Sequence, residues 1–366
     1  MRFELGGAAH EPELRRLHAD TPLHGPVRIV ERRDPDFFHA LAVQGDTVQA
    51  IVWCDERGGA AGVATRSSRA AWIAGRRGRV GYLGALRVKP AFRNGLGLAR
   101  GYQYLRRLHA ADGRCGFYLT TIMEDADAVR QVLTSGRAGL PHYLEAGRLT
   151  CHALSARRLA RRCRTPPTVR VAPASRETLP QLLAFLASEG SRTDLFPVLT
   201  AEDFGSPRLR NLAAGDFLVA RDAASGAVAG ALAVWDQTAF KRAVVAGYSP
   251  VGRVLRPLAR WFADLRLPRP GHEIPLRHAA FVCIRDHAPA VLEALLASAA
   301  SRLPPGTLLS AGFPDSHPLH ATLARLAAPA PALRSRIYLV CWDDALAECR
   351  ALLAAGRPFH VDPATL

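Results

Sequence analysis

Residues 82–98 of this 366-residue chain carry its densest chemistry: Tyr82-Leu83-Gly84-Ala85-Leu86-Arg87-Val88-Lys89-Pro90-Ala91-Phe92-Arg93-Asn94-Gly95-Leu96-Gly97-Leu98. They read as an apolar strand, a proline stop, and a basic, glycine-bearing turn that enters a helix over residues 99–111. Such a turn is a ready anion site. The unpaired N–H groups of the first helical turn converge on a ligand, and the helix dipole favours negative charge there. A glycine without Cβ lets a phosphate approach the main chain, and Arg93 adds a charge-assisted, bidentate contact. A P-loop needs Lys-Ser/Thr after its second glycine, where this chain has Leu98-Ala99. A dinucleotide fingerprint is fitted poorly by Gly95-x-Gly97 followed by Arg100-Gly101.

The ordered set Leu86-Arg87-Val88-Lys89-Pro90, Phe92-Arg93, Asn94-Gly95-Leu96-Gly97 and a following helix resembles the acyl-coenzyme A site of the GNAT acyltransferase superfamily. It departs by one residue: the usual pattern has two residues between the arginine and the first glycine, and here only Asn94 intervenes. The resemblance implies acetyl-CoA, or another acyl-CoA, as co-substrate and no metal. It implies that Arg93, Asn94, Gly95, Leu96, Gly97 and Leu98 hold the pyrophosphate. A backbone N–H of Leu86, Arg87 or Val88 would polarise the thioester carbonyl.

Transfer to an amine also needs a proton acceptor for the amine and a donor for the leaving thiolate. Most relatives carry Asn-x-x-Ala-x-x-x-Tyr on the helix after the fifth strand, with tyrosine as the acid. Here Ala126, Val129 and Leu133 stand at the Asn, Ala and Tyr positions, so the usual acid is absent. Tyr118 lies inside an apolar strand and reads as core, whereas Tyr143 lies at a loop-to-strand boundary and is the candidate acid. Glu124 and Asp125 follow directly on the strand 116–122, where strand ends open toward a ligand crevice. Asp125 reads as a cap for the helix beginning near Asp127, which leaves Glu124 as the candidate base, with His142 a further one.

These residues need a scaffold to position them. A chain of 366 residues with 49% apolar content has enough for real cores and exceeds one typical domain. No apolar run approaches the ~18 residues of a membrane span, and the N-terminus lacks a basic stretch followed by an apolar core. Seven scattered cysteines, an odd number without close pairing, argue against a disulfide framework and against zinc, and suit a reducing cytoplasm. The net charge of +16 is almost all arginine, the only lysines being Lys89 and Lys241. Such a chain attracts anions in general. The densest basic cluster, residues 157–164, has no interleaved aromatics for base stacking and reads as a solvated helix or linker, so specific nucleic-acid binding is not expected.

Periodicity and turn residues give two copies of one α/β plan, each a mixed, mostly antiparallel sheet flanked by helices. The first copy, residues 1–155, reads as strand 2–5, helix 11–19, strands 37–43, 47–54, 60–73 and 79–88, helix 99–111, strand 116–122, helix 127–134, and a strand pair around 142–154. Residues 156–167 form a basic, proline-ended linker. The second copy, residues 168–366, reads as strand 168–172, helix 177–188, strands 217–221 and 226–235, strand 277–284 and helix 288–303. Strands 217–221 and 226–235 read as echoes of 38–43 and 60–65. Where the coenzyme loop belongs, the second copy has Arg285-Asp286-His287-Ala288-Pro289, without Val-x-Pro or Gly-x-Gly and with a carboxylate in the anion's place.

The expectation is a cytoplasmic tandem GNAT protein whose first domain acylates a small-molecule or peptide amine, with a homodimer compatible. A non-catalytic acyl-CoA-binding regulator is the alternative, favoured by the missing tyrosine. An aminoacyl-tRNA-dependent transferase is the third reading, opposed by the retained Arg93–Gly97 loop.

Overall fold

The computed structural model describes residues 2–22, 25, 27–93, 96–137, 139–262, 264–330 and 332–366. The first half runs β1 (Arg2–Leu5), α1 (Glu11–Ala19), β2 (Val27–Arg33), α2 (Phe37–Leu41), β3 (Thr47–Cys54), β4 (Ala60–Ile73) and β5 (Arg76–Val88). It continues with α3 (Leu96–Asp112), β6 (Tyr118–Met123), α4 (Asp127–Leu133), β7 (His142–Ser155) and α5 (Ala156–Arg162). The second half begins with β8 (Val169–Pro173), α6 (Leu179–Gly190), β9 (Phe217–Asp222), β10 (Val228–Trp235), β11 (Lys241–Tyr248) and α7 (Pro250–Phe262). It ends with β12 (Leu276–Ile284), α8 (Pro289–Arg302), β13 (Leu308–Pro314), α9 (His320–Ala327), β14 (Ala332–Cys341) and α10 (Asp343–Ala354).

One 12-stranded sheet runs β1-β3-β4-β5-β6-β14-β7-β13-β12-β10-β9-β8, and β2 pairs with β11 in a separate ribbon. Each half therefore gives its last strand to the other. β14 lies antiparallel to β6, with Val340 opposite Tyr118, and β7 lies antiparallel to β13, with Leu309 opposite Leu154. The ribbon also joins the halves, with Val30 opposite Val244. Strands at the sheet centre are buried on both faces, so successive residues serve opposite cores. In β14, Tyr338 and Val340 join the core under α3 and α4, with Tyr102, Leu105 and Leu133. Ile337 and Leu339 join the opposite core, with Val80, Tyr82, Leu119, Phe359 and Val361. Among the described residues no helix is long and apolar enough to cross a membrane.

Three sequence expectations are corrected. Residues 37–43 are helical rather than a strand. The Asp36 carboxylate accepts the His39 N–H at 2.7 Å and caps α2, and Phe37 and Leu41, one turn apart, enter the core beside Leu14. The counterpart of β9 is thus β3, not the segment 38–43. Residues 142–154 are one continuous strand, β7, whose two edges pair with β14 and β13. Residues 156–162 are the helix that the reading allowed, but a packed one rather than a solvated one: Leu159 is buried, Ser155 Oγ accepts the Arg158 N–H, and the Arg158 side chain donates to Leu326 O. Elements β2, β11, α7, β13, α9, β14 and α10 lie beyond the sequence reading.

Candidate functional site

The site starts at a break in the sheet. β5 and β6 run parallel and pair only from Gly81–Tyr118 to Leu83–Thr120. Past that point β5 follows β4, with Val88 opposite Gly62, while β6 follows β14, with Met123 opposite Ser335. The two strands part and leave a slot through the sheet. A bulge marks the same place. The β4–β5 register shifts between Val63 and Thr65, and Ala85 takes φ +53°, a left-handed conformation that costs a non-glycine residue about 1–3 kcal/mol. Beyond the bulge, Lys89 N–H donates to Ala61 O. The antiparallel alternation then ties Arg87 to Val63 and turns the Val88 N–H into the slot.

On one side of the slot stands α3. Its first-turn N–H groups, at Leu96, Gly97 and Leu98, face outward for want of intrahelical partners. Asn94 and Gly95 lie outside the described residues. Arg93 is exposed, and its Nε donates to Val88 O at 3.1 Å, which joins the loop to the strand end. Gly97 has a second reason to be glycine: a Cβ there would lie 1.9 Å from the Trp53 ring. Trp53 in turn packs on Phe3 and edge-on against Phe92. Gly97→Ala is therefore expected to lower stability by about 1–3 kcal/mol through overpacking, read as a shift in the urea midpoint. An unshifted midpoint would mean that the helix start yields freely.

On the opposite side, under α1 and the ribbon, buried and half-buried basic side chains gather beside the slot. Tyr82 lies at its apex, its hydroxyl 3.4 Å from Thr121 Oγ1, so the pair spans β5 and β6 where they part. Burial raises the Tyr82 pKa, opposed by the Thr121 hydrogen bond and by the guanidinium groups of Arg69, Arg33 and Arg87. Arg33 and Arg69 are each only 5% exposed, and burial pulls both down to about 10, still charged at neutral pH. His18, from α1, is held well below its usual range by burial and then by Arg33 and Arg87, against a hydrogen bond with the Ala85 main chain. Lys241, from β11, is pulled down to about 8 by burial.

Of the sequence-predicted catalytic residues, Glu124 sits at the slot end of β6, its N–H donating to Arg334 O and its carboxylate 3.5 Å from Arg148 Nε. Tyr143 lies on the α3 side, its hydroxyl bonded to that of Tyr102 and its ring edge-on to Tyr338. Burial raises its pKa well above the usual range. Leu133 is core, Asp125 is exposed and does not cap α4, and His142 pairs with Asp343 at 2.7 Å.

The second half repeats the slot and fills it. β12 and β13 pair in parallel only from Leu276–Leu308 to His278–Ser310, and Phe281 takes φ +51° at a bulge between Ala231 and Ala233. The Phe281 N–H donates to Asp362 Oδ2 at 2.8 Å. Phe359, Val361, Asp362 and Ala364 are all buried, and the 3-10 turn Pro363–Thr365 rests against both β12 and β13. The chain thus occupies its own second slot at the bulge, and a pocket lined by Val282, Ile284, His287, His317 and His360 lies beyond it.

Two parted strand pairs, each with a bulge at the parting and joined by exchanged last strands, define the architecture. Solved structures have a similar fold. The chain superposes on a tandem GNAT protein from the clavulanic acid biosynthesis pathway with a TM-score of 0.54 at 12% identity, covering 92% of this chain and 97% of that one. The fold is that of a tandem GNAT protein. N-myristoyltransferase of Saccharomyces cerevisiae with bound myristoyl-CoA gives a TM-score of 0.55 at 12% identity, covering 92% of this chain and 78% of that one. No protein-family model and no curated protein matches the chain. Within this tandem GNAT fold, sequence reading missed His18, Arg33, Arg69, Tyr82 and Lys241. One signal was present: Thr65-Arg66-Ser67-Ser68-Arg69 is a polar run inside a strand that is otherwise apolar, and all five residues are buried.

Proposed function

We propose that the chain is an acyl-CoA-dependent N-acyltransferase, with acetyl-CoA as donor and a single coenzyme site in the first half. The observation that carries this is the slot: it lies between the first turn of α3 on one face and the polar side chains beside Tyr82 on the other, with the Val88 N–H turned inside. A coenzyme phosphate held at α3 would send its thioester into the slot. The neutral amine attacks the thioester carbon, a C–N bond forms, and the C–S bond breaks. The carbonyl oxygen gains charge against the Val88 N–H. The amine's proton leaves to water or a base, and the thiolate takes a proton. Tyr82, at the slot's apex, replaces Tyr143 as the proposed donor, because Tyr143 is committed to Tyr102 on the α3 side. Glu124, at the slot end of β6, keeps the role of proposed base.

A small acyl group suits a slot whose apex carries the Tyr82 and Thr121 hydroxyls better than a long aliphatic chain, which needs apolar walls. A cytoplasmic location is proposed on the seven free cysteines, six of them buried.

Calorimetry with acetyl-CoA tests the reading. One site per chain is expected. Arg93→Glu should weaken binding at least tenfold, because a charge-assisted contact becomes a repulsion, while Arg285→Glu should leave affinity unchanged. Two sites, or equal losses from both substitutions, would overturn the single-site claim. A free-thiol release assay over a panel of amines separates catalysis from binding alone.

A further inference from the structure

We infer that the acceptor carries a carboxylate beside its amine, and that the unfilled N–H groups of Arg87, with Arg33 and Arg69, hold that carboxylate beside Tyr82. The inference rests on the transferase reading and goes beyond it by naming a substrate class.

Charge balance is the first ground. Four cationic side chains from four strands meet here: Arg33 on β2, Arg69 on β4, Arg87 on β5 and Lys241 on β11. Glu31 serves two of them, at 3.2 Å from Arg33 and 3.1 Å from Lys241. Of the carboxylates that act on Arg69, Asp362 is engaged by the N–H groups of Phe281 and Ala364, and Asp46 by Arg79 and Arg208. Arg69 and Arg87 therefore have no carboxylate within ion-pair reach among the described residues. Their recorded bonds go to neutral oxygens, Thr365 Oγ1 and Leu86 O.

Unfilled donors are the second ground. Arg33 Nε and Nη1, Arg69 Nε, Arg87 Nε and His18 Nε2 are all buried without a hydrogen-bond partner. An unpaired buried guanidinium costs several kcal/mol, and a fold keeps that cost where a ligand supplies the counter-charge. Unfilled guanidinium N–H groups beside Tyr82 suit a planar, two-oxygen acceptor. Position is the third ground. Arg87 lies two residues past the bulge at Ala85, and Tyr82, among the same guanidiniums, lies at the apex of the slot. An anion held there would bring a neighbouring amine to the thioester.

The test is equilibrium binding to the acetyl-CoA-loaded protein. The probes are α-amino acids, β-amino acids and dipeptides, each paired with its decarboxylated amine, plus phosphoethanolamine. At least one carboxylate-bearing amine should bind tenfold or more tightly than its decarboxylated partner. Arg87→Met should abolish that preference while acetyl-CoA affinity stays as in wild type. Because Arg87→Met removes an unpaired buried charge, the ligand-free variant should melt no lower than wild type. A purely structural arginine would lower Tm, and that result overturns the inference. So does equal binding of the paired probes, a preference for phosphoethanolamine, or no binding by any probe. Arg87→Lys, which keeps charge but not the fork, should retain part of the preference and guards against misfolding of the methionine variant. Failure of acetyl-CoA itself to bind would instead strike the transferase reading.

Discussion

Tyr82→Phe is expected to bind acetyl-CoA as tightly as wild type and to lose roughly 10²-fold or more in kcat. The hydroxyl lies where β5 and β6 part, with Thr121 as its recorded partner at the long distance of 3.4 Å. It is therefore available to a sulfur arriving in the slot. Two opposing influences set its acidity. Burial pushes the phenol up, and three guanidinium groups pull it back. The outcome is a phenol that stays protonated at neutral pH and can give its proton to a thiolate. Removing one oxygen leaves the ring packed over the Gly84 backbone, so the melting temperature should barely move. Two readouts separate a proton donor from a packing residue. The substitution should remove the basic limb of the pH–rate profile, and Tyr143→Phe should stay within about threefold of wild type. A Tyr82→Phe enzyme within that same threefold range would take Tyr82 out of the mechanism and leave water as the proton source.

The strand, stop and helix of the proposed coenzyme site were legible in the sequence because they are local. Val88, Pro90, Arg93 and Gly97 lie within ten residues, and a strand, stop, turn and helix in that order leave few alternatives. Even so, Gly97 has a reason that spacing alone does not give, since the Trp53 ring fills the place of its missing Cβ. The proposed acceptor side was not legible, because its residues are scattered. His18, Arg33, Arg69, Arg87 and Lys241 belong to five elements, and the sheet and the β2–β11 ribbon bring them together. The helix at Phe37 was misread because two adjacent aromatics in a short segment fit either period, and only the Asp36 cap decides between them. The apolar segment Ala332–Cys341 has the composition of a strand, but no local rule seats it between β6 and β7, strands that precede it by nearly two hundred residues.

Asp362→Ala should be the most destabilising single change considered, at roughly 3–5 kcal/mol, because it orphans groups in the filled second slot. The wild-type carboxylate is 2% exposed and accepts from the Phe281 N–H at 2.8 Å and the Ala364 N–H at 3.0 Å, with His360 Nε2 at 3.7 Å. Phe281 is already held at φ +51°, so its bulge loses its only recorded side-chain acceptor when the carboxylate goes. Asp362→Asn separates shape from charge. It keeps one oxygen for one of the two N–H groups and sets an amide N–H against the other, and should lose more than half as much. A pH signature follows from the same geometry. Burial raises the carboxyl pKa, but the His360 contact and the two N–H bonds outweigh it, and the folded pKa lies below the usual value. A depressed folded pKa gives stability that is complete above the unfolded value of about 4 and is lost as the pH falls through the folded value. The wild-type urea midpoint should therefore fall as the pH drops below about 4, and Asp362→Asn should flatten that fall. An alanine variant with an unchanged midpoint at pH 7 would show that the segment 358–366 rests in the second slot without holding it, and that slot would then be open to a ligand.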